Sequence, residues 1–98
     1  MATLRLTARA VSHLEHIFEC VAEHDPARAL TVIRLIREAV MILEHHPLIG
    51  RPAEEGRREL IISRGRTAYV ALYRWLPADD TVLILANREA RQAGYPIE

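Results

Sequence analysis

Three apolar runs close the sequence, and the links between them are too short to be anything but hairpin turns. The runs are "ELIIS" at 59–63, "TAYVALYRWL" at 67–76 and "TVLILAN" at 81–87, joined by "RGR" around Gly65 and by "PADD". Strands linked this way must lie antiparallel, because a parallel pair needs a crossover of about a dozen residues or more. The third run is apolar on both faces, so it belongs in the middle of the sheet or under good cover. In the middle run Tyr69, Ala71, Tyr73 and Trp75 share one face, and Ala68, Val70, Leu72 and Arg74 share the other.

The first half is helical. "TLRL" at 3–6 alternates apolar and polar residues and reads as a short strand, after which Thr7 can cap a helix. Val11, Leu14, Phe18 and Val21, with Ile17 beside them, predict an amphipathic helix over about 8–23. Asp25 and Pro26 restart the pattern as a cap and a first-turn proline, so two antiparallel helices follow one another directly. The second helix is expected to run to about His45. Its stripes are Ala29, Ile33, Ile36, Val40 and Leu43, and Val32, Leu35, Ala39 and Ile42. The second stripe has no obvious cover in so small a chain, and such a face often meets another chain. "HHPLIGRPAEEGRR" at 45–58 is expected to be loop, because of its prolines and glycines. The expected fold is α+β in the order β-α-α-β-β-β, an antiparallel sheet with a helical hairpin packed on one face. Residues 1–98 suit one domain.

Composition narrows the function classes. Thirteen basic residues balance thirteen acidic ones, and the half from Arg51 onward holds eight arginines against seven acids. That argues against strong non-specific binding to nucleic-acid backbones, though not against a local basic patch. All thirteen basic residues are arginine. Two readings fit: bidentate recognition of phosphate or carboxylate, or a plain compositional bias. With Cys20 alone, no intrachain disulfide is possible, and a reducing cytoplasm fits. The N-terminus lacks the apolar core of a signal peptide, and no run is long enough to span a bilayer, so no membrane association is expected.

Two residue clusters invite a chemical reading. His13, His16, Cys20 and His24 step by three, four and four, and His/Cys pairs at that spacing can chelate zinc. They lie among Glu15, Glu19 and Glu23, however, and zinc sites usually draw on more than one element. A solvated polar face is the expectation, with no metal and no cofactor. The second cluster is the arginines. Arg58, Arg64, Arg66 and Arg74 come from the strands and turns, and Arg88 and Arg91 from the tail. A meander can bring Arg64, Arg66 and Arg88 together near Tyr69 or Tyr73. The result is either a basic patch for phosphates or carboxylates, or a set of local pairs with Glu54, Glu55, Glu59 and Glu89. No phosphate loop or nucleophile motif is present.

The chain also resembles a known family. "LTARA" opening a helix, "HPLIGRPAEEGRREL", "YVALYRW" and "LILANREARQAGY" occur in the order seen in the ParE/RelE toxin superfamily, and look most like its ParE, or plasmid-stabilisation, branch. The resemblance covers nearly the whole chain. It implies the same β-α-α-β-β-β order and a small cytoplasmic bacterial toxin of a type II toxin–antitoxin pair, neutralised by a ParD-like antitoxin. ParE-like members inhibit DNA gyrase by binding; RelE-like members cleave messenger RNA on the ribosome. The antitoxin-facing candidates become Val32, Leu35, Ala39 and Ile42, with Tyr69, Tyr73 and Trp75 either lining a groove or packed as core. The target-facing candidates are Arg58, Arg64, Arg66, Arg74, Arg88, Glu89, Arg91 and Tyr95.

Departures from the ribonuclease pattern favour the gyrase-binding branch. Val70 stands where a basic residue commonly follows the first tyrosine of Y-x-x-x-Y, and Ile61 and Ile62 stand where lysines are typical. Arginine is a poor proton acceptor, so Arg88 does not restore acid–base chemistry. Glu89 occupies the place of a histidine in the tail pattern A-x-R-H-x-R-x-A-G-Y. That substitution leaves open a toxin of reduced activity that acts mainly as an antitoxin partner.

Overall fold

The computed structural model describes residues 1–96, apart from the side chain of Arg64. Strand β1 (Thr3–Leu6) leads into helix α1 (Ala8–Ala22), followed by α2 (Pro26–Met41). Then come β2 (Arg51–Pro52), β3 (Arg58–Arg64), β4 (Thr67–Leu76) and β5 (Thr81–Glu89). The five strands form one sheet in the order β1-β5-β4-β3-β2. Strands β2 to β5 are antiparallel neighbours, as the short links require. Strand β1 instead runs parallel to β5, pairing Thr3 with Thr81 and Leu6 with Ile84, so the sheet is mixed. Four residues with no hairpin link to their neighbour carry no local signal of direction. Strand β5 is interior, as its two apolar faces demand.

The caps act where the sequence puts them. The Thr7 hydroxyl accepts from the Ala10 N–H and donates to the Leu85 carbonyl, so one side chain starts α1 and ties it to β5. Asp25 accepts from the Arg28 N–H, with Pro26 at the first position of α2. Thr7→Ala should lose about 1 kcal/mol or a little more in urea unfolding, and Thr7→Ser should recover most of it. Helix α2 ends at Met41 and tightens into a 3₁₀ turn over Ile42–Glu44, earlier than the apolar stripe suggests. The expected loop contains one short strand, β2, which covers only the start of β3.

The helices cover one face of the sheet, α1 over β5 and α2 towards β3. The buried stripe of α1 is Ala10, His13 and Ile17, offset from the expected one. Val11 is instead 42% exposed. The offset arises because Ala10, too small to register in the apolar pattern, lets the helix approach β5 closely, and the hydrogen-bonded His13 goes in with it. On α2 the buried residues are Ala29, Val32, Ile36 and Val40. Val32, Ile36 and Val40 meet Ile62, Tyr69, Ala71, Tyr73, Val82 and Ile84 in the core.

Candidate functional site: the arginine–glutamate–tyrosine cluster under the tail

Side chains alternate along β3. Leu60 and Ile62 pack into the core beneath the helices, so Glu59 and Ile61 point to the opposite, open face. The same alternation on β5 turns Asn87 towards the helices and Arg88 to the open face, beside Val70 of β4. The tail then brings Tyr95 over Arg88, whose guanidinium carbon lies 5.1 Å from the ring centroid. Glu59 is the hub. Its Oε2 accepts from the Tyr95 hydroxyl at 2.6 Å and lies 3.8 Å from the Arg88 guanidinium. Its Oε1 accepts from Arg51 at 3.0 and 2.9 Å. Arg88 also donates to the carbonyls of Glu89, Ala90 and Gln92, so one guanidinium organises the turn that follows β5. The next tail residue is fixed as well, because the Pro96 carbonyl accepts from Arg9 and His13 of α1.

The electrostatics of the cluster decide what it can do. The Tyr95 hydrogen bond, with help from Arg51 and Arg88 and against the effect of burial, holds the Glu59 carboxyl below the usual carboxylate range. Burial, then the hydrogen bond and charge of Glu59, push the Tyr95 phenol well above its ordinary value. A general acid or base works best with a pKa near the operating pH. Both groups move away from neutrality, so the carboxylate is a fixed acceptor and the phenol a fixed donor. The cluster holds a tail and leaves a surplus of positive charge; it is not arranged for proton transfer.

These shifts predict a pH profile. The depressed Glu59 stabilises the fold above about 4.5, and that contribution is lost as pH falls towards its folded value. The raised Tyr95 stabilises it below about 10, and that contribution is lost as pH climbs beyond. Tyr95→Phe should shrink the acid-side loss and leave at high pH only what Tyr69 and Tyr73 contribute, since burial raises both phenols. Urea midpoints measured from acid to alkaline pH read both limbs.

The other sequence candidates do not converge on this cluster. Arg58 is structural: its guanidinium donates to the carbonyls of Leu48 and Gly50 at 3.1 and 2.7 Å. Tyr73 is core, fully buried, with its hydroxyl donating to the Pro47 carbonyl and accepting from the Gly50 N–H. Tyr69 is also buried, and Trp75 packs against the core, so all three aromatics pack as core, with Tyr69 also reaching the floor of a groove described below. Val32 is buried too, while Leu35 and Ala39 are half-buried against the core. Only Ile42 of that stripe is exposed, at 47%. The stripe expected to await a partner thus packs mostly against the chain's own core, because α2 presents both stripes to the sheet and α1, though Val32 and Leu35 also line the groove described below. Glu89 pairs with the exposed Arg91 at 3.2 Å. Arg74 lies near Gly56. The side chain of Arg64 lies outside the described residues, and Arg66 sits at the β3–β4 turn, away from Arg88.

The histidine run on α1 does not form a site. His13 is buried, where its Nδ1 accepts from the Asn87 N–H and its Nε2 meets the Pro96 carbonyl, so the expectation of a solvated face fails at this residue. His16 and Cys20 contact one another at 3.5 Å on the surface. Among the described residues no group of three or more His, Cys, Asp or Glu side chains is placed to hold a metal ion.

A groove lies elsewhere, between the start of α2 and the β3–β4 turn. It encloses about 690 Å³ and is lined by Arg28, Thr31, Val32, Leu35, Arg66 and Thr67, among others. Arg28 and Glu59 escaped the sequence reading, Arg28 entirely and Glu59 except as a local partner. No short-range signal marks either, because each acquires its role from residues 8 to 39 positions away.

The sequence model described as "ParE toxin of type II toxin-antitoxin system, parDE" matches residues 4–93. The chain belongs to the ParE toxin family. Among solved structures it is similar to the chromosomal ParDE toxin–antitoxin system from P. aeruginosa, with 28% identity and a TM-score of 0.73 over 91% of this chain and 94% of that one. It is also similar to the RelBE2 toxin–antitoxin complex from Mycobacterium tuberculosis, with 25% identity and a TM-score of 0.59 over 93% of each chain. The intact E. coli RelBE complex shares the fold at 12% identity, with a TM-score of 0.68 over 94% of this chain and 100% of that one. No curated protein matches the chain significantly. The match ends at residue 93, within the segment held by Arg88, Glu59 and Tyr95.

Proposed function

We propose that this ParE-family toxin inhibits DNA gyrase by binding rather than by catalysis, and that a ParD-like antitoxin neutralises it in the cytoplasm. The observation that carries the choice between binding and catalysis is the pair of shifts in the cluster. Glu59, bonded to Tyr95 and Arg51, is driven down and Tyr95 up, so neither of these two groups is poised for proton transfer near neutral pH. Ile61 and Val70, on the same open face, add no basic group. The similarity to a ParDE toxin–antitoxin system supports the antitoxin partnership. Arg74 and the exposed Arg91, with the tail that Arg88 and Tyr95 anchor, present charge to the target.

The test is expression of the toxin alone and with its cognate antitoxin. Toxin alone should arrest growth and relax reporter plasmids, the antitoxin should reverse both, and messages mapped by primer extension should remain uncut at ribosomal A sites. Sharp A-site cuts with normal plasmid supercoiling would replace this reading with an mRNA interferase. Harmless expression of folded toxin would instead make it a toxin of reduced activity, with Glu89 as the first residue to restore to histidine.

A further inference from the structure

We propose that the groove between α2 and the β3–β4 turn is a carboxylate-anchoring site, filled by an acidic side chain next to an apolar one on an extended segment of the antitoxin. The inference rests on the antitoxin partnership proposed above and names the chemistry by which that partner is held. Two guanidiniums, Arg28 and Arg66, stand at the groove with the hydroxyls of Thr31 and Thr67. Among the described residues neither arginine forms an ion pair; the pairs formed are Arg51–Glu59, Arg57–Glu55, Arg88–Glu59 and Arg91–Glu89. Arg28 spends one N–H on the Thr67 hydroxyl at 3.1 Å, which fixes its direction and leaves most of its donor fork unspent. The rim carboxylate among the described residues, Asp25, is engaged as the cap of α2.

Beneath this polar rim Val32, Leu35 and Tyr69 give an apolar floor. A charged rim over an apolar floor suits a short acidic–apolar motif better than a phosphate alone. The volume of about 690 Å³ has room for a few side chains. The adjoining strand favours a peptide. Strand β2 pairs only with Arg58 and Glu59, so beyond Glu59 the outer edge of β3 has no strand partner among the described residues and leads towards the groove at Gly65.

The experiment measures the affinity of the full-length cognate antitoxin for purified wild-type toxin, for Arg28→Ala/Arg66→Ala, and for Arg34→Ala. Arg34 is an exposed arginine of α2 outside the groove and controls for general charge. The groove arginines are exposed, so the double variant should fold, and circular dichroism checks this. The double variant should bind at least ~30-fold more weakly, and Arg34→Ala within about twofold of wild type. Raising salt should weaken the wild-type complex more than that of the double variant. Unchanged affinity in a folded double variant overturns the groove while leaving the antitoxin partnership standing. Unchanged antitoxin affinity with lost gyrase inhibition also overturns it, by moving the groove to the target. An antitoxin that fails to bind the wild-type toxin overturns the partnership and the groove together.

Discussion

Gly50→Ala is expected to lower the stability of the fold by about 3 kcal/mol, a drop in Tm of more than roughly 10 °C for a domain of this size. A Cβ at Gly50 would lie 2.6 Å from the Tyr73 ring carbon and hydroxyl oxygen and 2.9 Å from the Glu59 carbonyl. Neither obstacle is the free end of a flexible chain. The Tyr73 ring is fully buried, and the Glu59 carbonyl belongs to a paired strand. Moving the ring would also break its hydrogen bonds to the Gly50 N–H at 2.9 Å and to the Pro47 carbonyl at 2.7 Å. Tyr73→Phe separates the two effects. It keeps the ring and loses only the hydroxyl, so it should cost about 1–3 kcal/mol, mainly through the unpaired Gly50 N–H. Thermal melts of the two variants against wild type check both the order and the sizes.

This lock gives a physical meaning to the segment "HPLIGRP", which carried much of the family resemblance. Pro47, Gly50 and Arg58 are bound to one another through a buried tyrosine and two carbonyls, which fix the approach to β2 and β3. They are therefore scaffold, in which Arg58 takes part through its Nη1.

Glu59→Gln carries the second large effect, a loss of about 2–3 kcal/mol. The amide keeps the shape but removes the charge that faces Arg51, Tyr95 and Arg88. The Arg88 side chain is only 13% exposed, and its Nε has no hydrogen-bond partner among the described residues, so an uncompensated guanidinium there is expensive. Glu55→Gln is the contrast. Glu55 also pairs with an arginine, but its side chain is 77% exposed, and the expected change lies within about 0.5 kcal/mol. Urea unfolding of both variants at neutral pH decides whether Glu59 is the hub of the tail or one more surface acid.

What the sequence made legible follows from the range of each interaction. The hairpins, both helix caps and the apolar β5 are local, set by residues within a few positions, and they stand where the pattern puts them. The parallel pairing of β1 with β5 joins residues some eighty positions apart and leaves no local trace. The same holds for His13. Its spacing suggested a polar face, yet contacts with Asn87 and Pro96, more than seventy positions away, make it core. The arginines divide likewise. Which of them meets Glu59, a backbone carbonyl or the groove beside α2 depends on sheet register and on where the tail falls. The tail itself was legible as the place of interest, but its fastening through Glu59 was not.

The most direct measurement of the central claim is the supercoiling of relaxed plasmid by purified gyrase in the presence of purified toxin. Inhibition should appear at roughly micromolar toxin, of the order of ordinary protein–protein affinities, and should vanish when the cognate antitoxin is added in stoichiometric amount. Full supercoiling at a large excess of folded toxin would contradict the account.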